Sequence, residues 1–595
     1  MQVLFSMRHL GSFRMYESVL RRLAANGHEI RILANRRDSL GWGDTPTALL
    51  PDVPQIQWSW EEAHPTVWLE FATAVRIWQD YLRYFEPAYT GTPRLRTRAA
   101  ERVPSVLRRI TDACGRAPVA RRAIARVLRT IERALPYQQA YDALVRLHRP
   151  DLVMLTPLLH LGSPQVELLR SARAQGVKSA LCVGSWDHLS SKSLIREMPD
   201  RVLVWNETQK REAVELHGVP AEHVRVTGAQ CYDHWFGRTP AHTREAFCAR
   251  VQLPPDRPFV LWVSSALFAG SPSEARFVRR WIDALRASPD PVLSTAGILV
   301  RPHPARLDEW RDVDVSDLQA VTVFGSMPID AGAKEDYFES LHYSAAVVGL
   351  NTSAFLEAAI VGRPVHTILL PEFSENQEGT LHFPYLLSVG GGLLRVAHDC
   401  DAHGLQLADS LREPERVDRN AAFVQAFIRP VGLDRPATDV FVDEVETFGR
   451  APAPDPIRSP QWAPALRLLL WPFALATSVL VARGEPGDRT LRELQRARRQ
   501  EGHRLTREAE AQQRRAAREA ARLDKAQRAE AARREERRAR QGRLDASDRE
   551  KRDRRRLKER EKLQRTRAKR RGAILSQIRR RLGLGRAAAP PADSA

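Results

Sequence analysis

Residues 345–370, AAVVGLNTSAFLEAAIVGRPVHTILL, carry the strongest fold signal in the chain. Two apolar runs, AAVV and VHTILL, flank a segment whose apolar residues recur at helical spacing. A strand, a helix and a second strand in this order predict two parallel strands joined by a crossover helix. The polar residues Asn351 to Ser353 would then lie at the carboxyl end of a parallel sheet, where such folds bind ligands.

The same alternation of strands and helices extends in both directions from this segment. Upstream, FVLWVSS, GILVRPHP and AVTVF are typical of further strands, and another series begins at QVLFS near residue 2 and resumes at residue 151. Residues 236–257 indicate a linker with one short helix. The sequence therefore predicts an α/β protein of two facing Rossmann-like domains, at residues 1–240 and 258–450.

Residues 56–147 depart from this alternation, because they are rich in Trp and Arg and few strands can be found among them. They predict a helical insertion in the first domain. One apolar stripe at helical spacing consists of Phe71, Val75, Trp78, Leu82 and Phe85. This stripe is typical of a core; a lid over an acceptor and a lipid-facing surface are the alternatives.

The composition changes again after residue 450. Residues 451–488 indicate a linker, APAPDPIRSP, followed by an apolar helix whose run at 468–482 would extend about 22 Å, short of a bilayer core of roughly 30 Å. This helix packs on the body or contacts one membrane face; a span is the third alternative. Residues 489–582 predict a long charged helix, either single or as a partial coiled coil, and residues 583–595 a disordered end.

The net charge of +20 is confined to one end of the chain. The residues from 483 onward contain 38 Lys and Arg against 18 Asp and Glu, so the first 482 residues are neutral. A basic tail favours peripheral contact with an anionic membrane, and a neutral body argues against nucleic acid as a partner. The five cysteines form no CxxC pair, and the N-terminus does not resemble a leader, so we expect a cytoplasmic protein without disulfides or a zinc site.

Polar residues follow the predicted strands of the second domain. A nucleoside diphosphate requires cations, hydroxyl groups and backbone N–H groups, and these residues supply them. The candidate donor-binding residues are Ser265, Arg301, His303, Gly349, Asn351, Thr352, Ser353 and Glu357, with Gln377 and Thr380 after the next strand. A rigid turn at RPHP and an ordinary capped helix after Gly349 are the structural alternatives.

A transfer reaction that inverts configuration also needs a general base. His9, beside Gly11 in the loop after the first strand, and Asp187, after the strand SALCVG, are equal candidates in the first domain. His382 in the second domain is a further candidate for proton transfer. A structural role is the alternative for each of them.

Three motifs carry a resemblance to glycosyltransferases of the GT-B type. GLNTSAFLEAAIVGRPV resembles their donor-site signature, VTGAQCYDHWF resembles their interdomain segment and that of UDP-N-acetylglucosamine 2-epimerases, and RPHP resembles a motif of capsule-polysaccharide and CDP-glycerol glycerophosphotransferases. The resemblance covers residues 1–450. It implies that Arg301, Ser353 and the backbone from Gly349 bind donor phosphates, that Glu357 binds a ribose or sugar hydroxyl, and that Gly228 lines the cleft.

The resemblance implies an enzyme that needs neither a metal nor a cofactor. The function expected is a glycosyltransferase that moves a sugar from a nucleotide-activated donor to a cell-surface glycan or a lipid-linked acceptor. A glycerophosphotransferase and a nucleotide-sugar 2-epimerase are alternatives on the same fold. An alternative of another class is a scaffold that acts through its Arg-rich tail.

Overall fold

The computed structural model describes residues 1–35, 53–61, 66–160, 163–325, 328, 330–413, 419–482, 542–543 and 546–581. The chain divides into two compact units, Met1–Arg499 and Gln500–Ala595. The first unit holds two parallel sheets and the helices that cover them. In the second unit, residues 546–581 form a helix whose side chains are exposed.

The first sheet has seven parallel strands in the order β3-β2-β1-β4-β5-β6-β7. The strands are β1 (Gln2–Met7), β2 (Glu29–Asn35), β3 (Ile56–Glu61), β4 (Leu152–Thr156), β5 (Lys178–Cys182), β6 (Arg201–Val204) and β7 (Val224–Val226). In the register of its centre, Val3 pairs with Ile30 on one side and with Leu152 on the other. Strands β4 and β5 are buried along their whole length, as apolar strands covered on both faces should be.

The second sheet has six parallel strands in the order β10-β9-β8-β11-β12-β13. The strands are β8 (Phe259–Val263), β9 (Gly297–Arg301), β10 (Val321–Val323), β11 (Ala346–Val348), β12 (Val365–Ile368) and β13 (Arg395–Ala397). Val260 of the central strand pairs with Ile298 and Ala346. Counted within each sheet, both strand orders begin 3-2-1-4-5-6, which is the Rossmann order.

Helices cover both faces of the two sheets. The first half of the chain contains α1 (Phe13–Ala25), α2 (Val67–Arg83), α3 (Pro93–Ala100), α4 (Ser105–Cys114), α5 (Pro118–Ala134), α6 (Gln139–His148), α7 (Gln165–Ala174), α8 (His188–Ser191) and α9 (Glu207–His217). The remainder contains α10 (Arg244–Arg250), α11 (Glu274–Arg286), α12 (Pro291–Ser294), α13 (Ala331–Tyr343), α14 (Ala354–Ile360), α15 (Phe383–Ser388), α16 (Cys400–Arg412), α17 (Asn420–Phe427), α18 (Ala437–Arg450) and α19 (Ala463–Ala482).

The predicted fold class, two Rossmann-like lobes, is therefore confirmed by strand order and register. One detail of the predicted insertion is wrong, because residues 56–61 form β3, the edge strand of the first sheet, with Ile56 paired to Ile30. The aromatic residues of this edge strand alternate with polar ones, so it lacks the continuous apolar run of the central strands. The helices α2 to α6 follow it.

Buried ion pairs attach the insertion to the first lobe. Arg76 of α2 lies 2.6 Å from carboxylate oxygens of both Glu132 of α5 and Glu167 of α7. Asp80 of α2 pairs with Arg196 and accepts a hydrogen bond from the Leu194 amide. Because removing one partner of a buried pair leaves an uncompensated charge, these contacts fix the position of α2.

The chain passes between the lobes twice, and the two passages lie side by side. After β7 it turns at Gly228 (φ +86°) toward the second lobe, and after α17 it returns so that α18 packs on α1. The Ala229 amide donates to the Ile428 carbonyl at 2.8 Å. A Cβ on Gly228 would lie 2.7 Å from the Ala437 Cβ, so only glycine fits between the passages.

The apolar helix begins at residue 463, earlier than the predicted run at 468–482, and α19 packs on α2 and α5 of the insertion. Among the described residues, no helix combines the length and the hydropathy that a membrane crossing requires. Of the predicted charged helix, residues 542–543 and 546–581 are helical, whereas all of 489–541 lies outside the described residues, as does the end at 583–595.

Candidate functional site

The switch point of the second sheet lies at β8, whose neighbours β9 and β11 continue the sheet in opposite directions. The loops after all three strands meet there. The Ser264 amide donates to the Arg301 carbonyl at 3.0 Å, and the Asn351 amide donates to the Ser265 hydroxyl at 3.0 Å. The predicted donor loops therefore share one edge of one sheet, where open α/β folds place their ligand crevice.

Gly349 allows the chain to leave β11 close to β8. A Cβ at this position would lie 2.7 Å from the Val263 carbonyl oxygen, so a larger residue would push the strands apart. The following side chains differ in exposure: Ser353 is exposed, while Asn351 and Thr352 are partly buried. The Thr352 hydroxyl accepts a weak bond from the Ala354 amide at 3.4 Å.

Arg301 is buried against α13 at the end of β9. Its guanidinium donates to the Ser340 hydroxyl at 2.9 Å and to the Asp336 carbonyl at 3.3 Å, and it lies over the Tyr337 ring at 5.1 Å. Burial lowers its pKa, although nearby Tyr337, Asp336 and Glu357 favour the charged form. Arg301, which was predicted to bind donor phosphates, is thus held by α13 of its own lobe. His303, two residues on, accepts a bond from the Ala305 amide at 3.2 Å.

Glu357 lies where the two lobes meet. It accepts a hydrogen bond from the Tyr337 hydroxyl, and burial raises its pKa to about 7, although Tyr337, Arg14 and Arg301 favour the charged form. Arg14 belongs to α1 of the first lobe, and its side chain is exposed. An exposed arginine of one lobe therefore interacts electrostatically with a carboxyl group of the other.

The loop after β12 is held from inside by two of the predicted donor-binding residues. The buried Gln377 amide nitrogen donates to the Leu350 carbonyl (3.2 Å), the Thr367 hydroxyl (3.1 Å) and the Ile368 carbonyl (3.0 Å). The buried Thr380 hydroxyl donates to the Gln377 carbonyl at 2.8 Å. These two side chains shape the loop, and their polar groups are directed into it.

Asn351 connects this loop with the one after β11. Its side-chain amide donates to the Asn376 carbonyl at 2.6 Å and lies 3.4 Å from Nε2 of His382. The His382 ring meets the edge of the Trp186 ring from the first lobe at a centroid distance of 4.7 Å. His382 is therefore in contact with both lobes at the crevice.

Asp187 follows β5 in the first lobe and is surrounded by donors. Its carboxylate accepts from the hydroxyls of Ser185 (2.7 Å) and Ser191 (2.8 Å) and lies 3.1 Å from the Lys192 ammonium. Burial raises its pKa, but the nearby Lys192, His188 and His382 and the Ser185 hydrogen bond outweigh burial, so the pKa lies well below its ordinary value. Asp187 is consequently a stable anion.

Three histidines converge near this anion. Burial lowers the pKa of His188 and that of His382 to about 4, and Asp187 opposes both shifts. His9 lies close enough to His188 to contribute to the lowering of its pKa. Of the predicted base candidates, Asp187 and His382 interact electrostatically with each other, and His9 interacts with His188 beside Asp187.

The remaining predicted positions are structural. Gly11 is buried in the short 3₁₀ helix Leu10–Ser12 after β1. Gly228, expected to line the cleft, packs instead against Ile428 and Ala437, because the returning chain occupies the space beside it. Among the described residues, no group of three or more His, Cys, Asp and Glu is arranged to hold a metal ion.

Arg14, Trp186 and Lys192 were not among the predicted site residues. Trp186 precedes Asp187 in the loop after β5, Lys192 follows α8, and Arg14 lies in the first turn of the helix after β1. Only Trp186 satisfies the rule that selected the other candidates, a position just after a strand. The lobe contacts that make them important join residues more than 150 positions apart, which no local pattern could show.

Solved structures similar to this chain include two kinds of protein. UDP-GlcNAc 2-epimerase from Methanocaldococcus jannaschii is 10% identical over 75% of this chain and 99% of its own, with a TM-score of 0.44. UDP-GlcNAc 2-epimerase from Neisseria meningitidis, bound to UDP-GlcNAc, is 10% identical over 75% of this chain and 100% of its own, with a TM-score of 0.42. A glycosyltransferase from Rickettsia africae is 10% identical over 76% of this chain and 99% of its own, with a TM-score of 0.44. No family description and no curated protein sequence matches the chain, and its fold assignment therefore rests on its own strand order and register.

Proposed function

We propose that this protein is a glycosyltransferase that moves a sugar from a nucleotide-activated donor to a glycan or a lipid-linked acceptor. The observation that supports it best is the meeting of loops from the two lobes at the edge of the second sheet, where Trp186, beside Asp187, lies 4.7 Å from the His382 ring and Arg14 interacts electrostatically with Glu357. The second lobe would bind the donor at this edge and the first lobe the acceptor, with transfer between them.

The donor would occupy the crevice between the loops after β8 and β11. Its diphosphate would lie against the backbone from Gly349 to Ser353, and Arg14 would neutralise charge on the leaving group. Glu357 would accept a hydrogen bond from a hydroxyl of the ribose or the sugar. The buried side chains of Ser265, Gln377 and Thr380 would position these loops.

Proton transfer would be the task of His382, with Asp187 as its electrostatic partner. The acceptor hydroxyl oxygen forms the new bond to the sugar carbon, and the electron pair of the breaking bond leaves with the nucleoside diphosphate. The hydroxyl proton passes to the neutral His382 ring, whose cation Asp187 stabilises, as carboxylates stabilise catalytic imidazolium groups elsewhere. His9 is the alternative base, because it approaches the same cluster.

The location that fits this function is the cytoplasmic face of a membrane, where a lipid-linked acceptor is available. The basic tail would contribute peripheral attraction to anionic lipid, since each Lys or Arg near such a surface adds about 1 kcal/mol. The reaction as written needs no metal and no cofactor.

Binding of UDP, GDP, CDP and CMP, measured by calorimetry, tests the donor site. We expect one nucleoside diphosphate to bind, and Arg14→Ala to weaken its binding at least tenfold, about 1.4 kcal/mol, because the substitution removes a positive charge next to Glu357. Arg21→Ala, on the exposed side of the same helix, is the matched control. Equal affinity of wild type and Arg14→Ala would contradict the site.

The reaction itself is tested with nucleotide sugars and CDP-glycerol, each with and without acceptor. The proposal predicts release of the nucleoside diphosphate only when an acceptor is present. Conversion of the nucleotide sugar without acceptor would establish an epimerase instead. Turnover of CDP-glycerol with no turnover of any nucleotide sugar would establish a glycerophosphotransferase.

A further inference from the structure

The outward side of α19 is apolar, and no residue that the structure describes covers it. Leu468, Leu469 and Phe473 are 77%, 70% and 64% exposed, and Leu475 and Val479 are exposed beside them. The helix contains one charged residue, Arg467, near its beginning. Adjacent exposed apolar residues over three helical turns form a continuous patch, which a protein surface in water rarely presents without an interaction partner.

The inward side of the same helix is well anchored. Ala474 is fully buried with Phe71, Val75 and Leu128 of the insertion, and the Trp471 ring lies 5.8 Å from the Trp68 ring. The Arg467 guanidinium donates to the Ala134 carbonyl at 2.5 Å. Because these contacts fix the helix along its length, its exposed side is a defined surface of the folded unit.

The neighbouring helix α5 also exposes apolar residues and carries positive charge. Val119 and Val127 are 78% and 58% exposed. Four exposed arginines of α5 lie on one stripe at helical spacing: Arg122, Arg126, Arg129 and Arg133. None of them forms an ion pair with a residue that the structure describes, and the one acidic residue of α5, Glu132, is buried against Arg76. The stripe therefore carries an unneutralised positive charge.

We propose that the outward sides of α5 and α19 together form a docking surface, here called the apolar-basic face, for a membrane that contains anionic phospholipids. The aliphatic and aromatic side chains of α19 enter the boundary between headgroups and acyl chains, and the arginines of α5 bind lipid phosphates. Trp462 and Trp471, both partly exposed, are of the residue type that prefers this depth. A protein partner would have to combine an apolar groove with acidic groups, whereas an anionic bilayer supplies both features along a plane.

The apolar-basic face is independent of the proposed enzymatic function and of the basic tail. Attraction by the tail is electrostatic and is screened by salt, whereas insertion of apolar side chains is not. Salt therefore separates insertion by the apolar residues of α19 from the electrostatic attraction of the tail and of the α5 arginines, and the arginine variants separate the latter two.

Co-sedimentation of the full chain with vesicles tests the proposal. We expect binding to phosphatidylcholine vesicles with 30% phosphatidylglycerol to persist partly in 0.5 M NaCl. The double variant Leu468→Ser with Phe473→Ser should lose at least tenfold of this salt-resistant binding. Arg126→Gln with Arg129→Gln should reduce binding at 0.1 M NaCl and lessen the preference for anionic vesicles.

Matched variants on the second lobe serve as controls. Leu405→Ser removes a leucine that is 72% exposed there, and Arg257→Gln with Arg276→Gln removes two exposed arginines; none should change vesicle binding. The proposal is overturned if Leu468→Ser with Phe473→Ser binds as the wild type does, or if 0.5 M NaCl releases the wild type completely. It is equally overturned if light scattering shows a wild-type dimer that this variant dissociates, because a second copy would then cover the face.

Discussion

At the scale of single residues, His403 is an unusual buried group. Its ring is fully buried beside Trp281 and His366, and neither ring nitrogen has a hydrogen-bond partner among the described residues. Burial lowers its pKa to about 4. The folded chain thus keeps neutral a ring that the unfolded chain protonates below about pH 6.5.

We expect His403→Leu to stabilise the protein increasingly as the pH falls. Above about pH 6.5 the His403 ring is neutral in both the folded and the unfolded wild type, so it does not change the free energy of unfolding with pH. Between about pH 6.5 and about pH 4 the free energy of unfolding falls progressively, because the unfolded state binds a proton on this ring and the folded state does not. At pH 5 the loss is about 2 kcal/mol, and the leucine variant does not incur it. Thermal unfolding at pH 7, 6 and 5 measures the difference.

The exposed His398 provides the control for this series. His398→Leu removes an exposed side chain and should change the melting temperature little. If the difference between His403→Leu and wild type does not grow on acidification, the buried ring does not titrate as its surroundings require.

Residue types near strand ends were sufficient to select most candidates, but not to assign their roles. Ser265, Gln377 and Thr380 were expected to contact the donor, whereas their polar groups hold loops together. Sequence gives the position of a residue after a strand, while the direction of its side chain depends on packing. Arg14 was missed for the same reason, because its importance comes from a carboxyl group on the other lobe.

At the scale of elements, the loop after β12 depends on one amide. Gln377→Ala would remove the buried amide that donates to the Leu350 and Ile368 carbonyls and to the Thr367 hydroxyl; of these acceptors, the Leu350 carbonyl keeps a second donor, the Thr367 hydroxyl. A buried group left without its hydrogen bond costs about 1–3 kcal/mol. We expect a lower melting temperature and faster hydrogen exchange at residues 371–388. Mass spectrometry of peptides from this segment measures the exchange.

The neighbouring Glu378 is exposed, and Glu378→Ala should leave both quantities unchanged. Equal exchange in Gln377→Ala and wild type would show that the loop does not depend on the amide.

Elements with continuous apolar runs were predictable from sequence. The edge strand β3 lacks such a run, and the signal that could have identified it is its alternation of aromatic with polar residues, which is typical of a half-buried strand.

At the scale of the whole molecule, Asp233 joins the two passages between the lobes. Its carboxylate accepts bonds from the Arg429 guanidinium (2.7 Å) and from the amides of Ala437 (3.1 Å) and Thr438 (2.6 Å) at the start of α18. Asp233→Ala should lower the free energy of unfolding by about 3–5 kcal/mol, because it leaves Arg429 as a buried unpaired charge. Denaturant titration measures the loss.

Asp434 lies nearby but is exposed, and Asp434→Ala should be close to neutral. A small effect of Asp233→Ala would mean that water replaces the carboxylate.

The two-lobe architecture was predictable because each lobe repeats a local pattern. The pairing of the two passages was not, because it joins residues about 200 positions apart in the chain.

The insertion also connects the lobes, at a place separate from these passages. Tyr81, Tyr84 and Tyr89 form an aromatic cluster against which Phe268 and Leu381 of the second lobe pack, and Arg94 pairs with Glu375. Any separation of the two lobes would expose these tyrosine rings to water. Ligand entry should therefore become faster in solutes that weaken hydrophobic contacts, even when those solutes never touch the crevice.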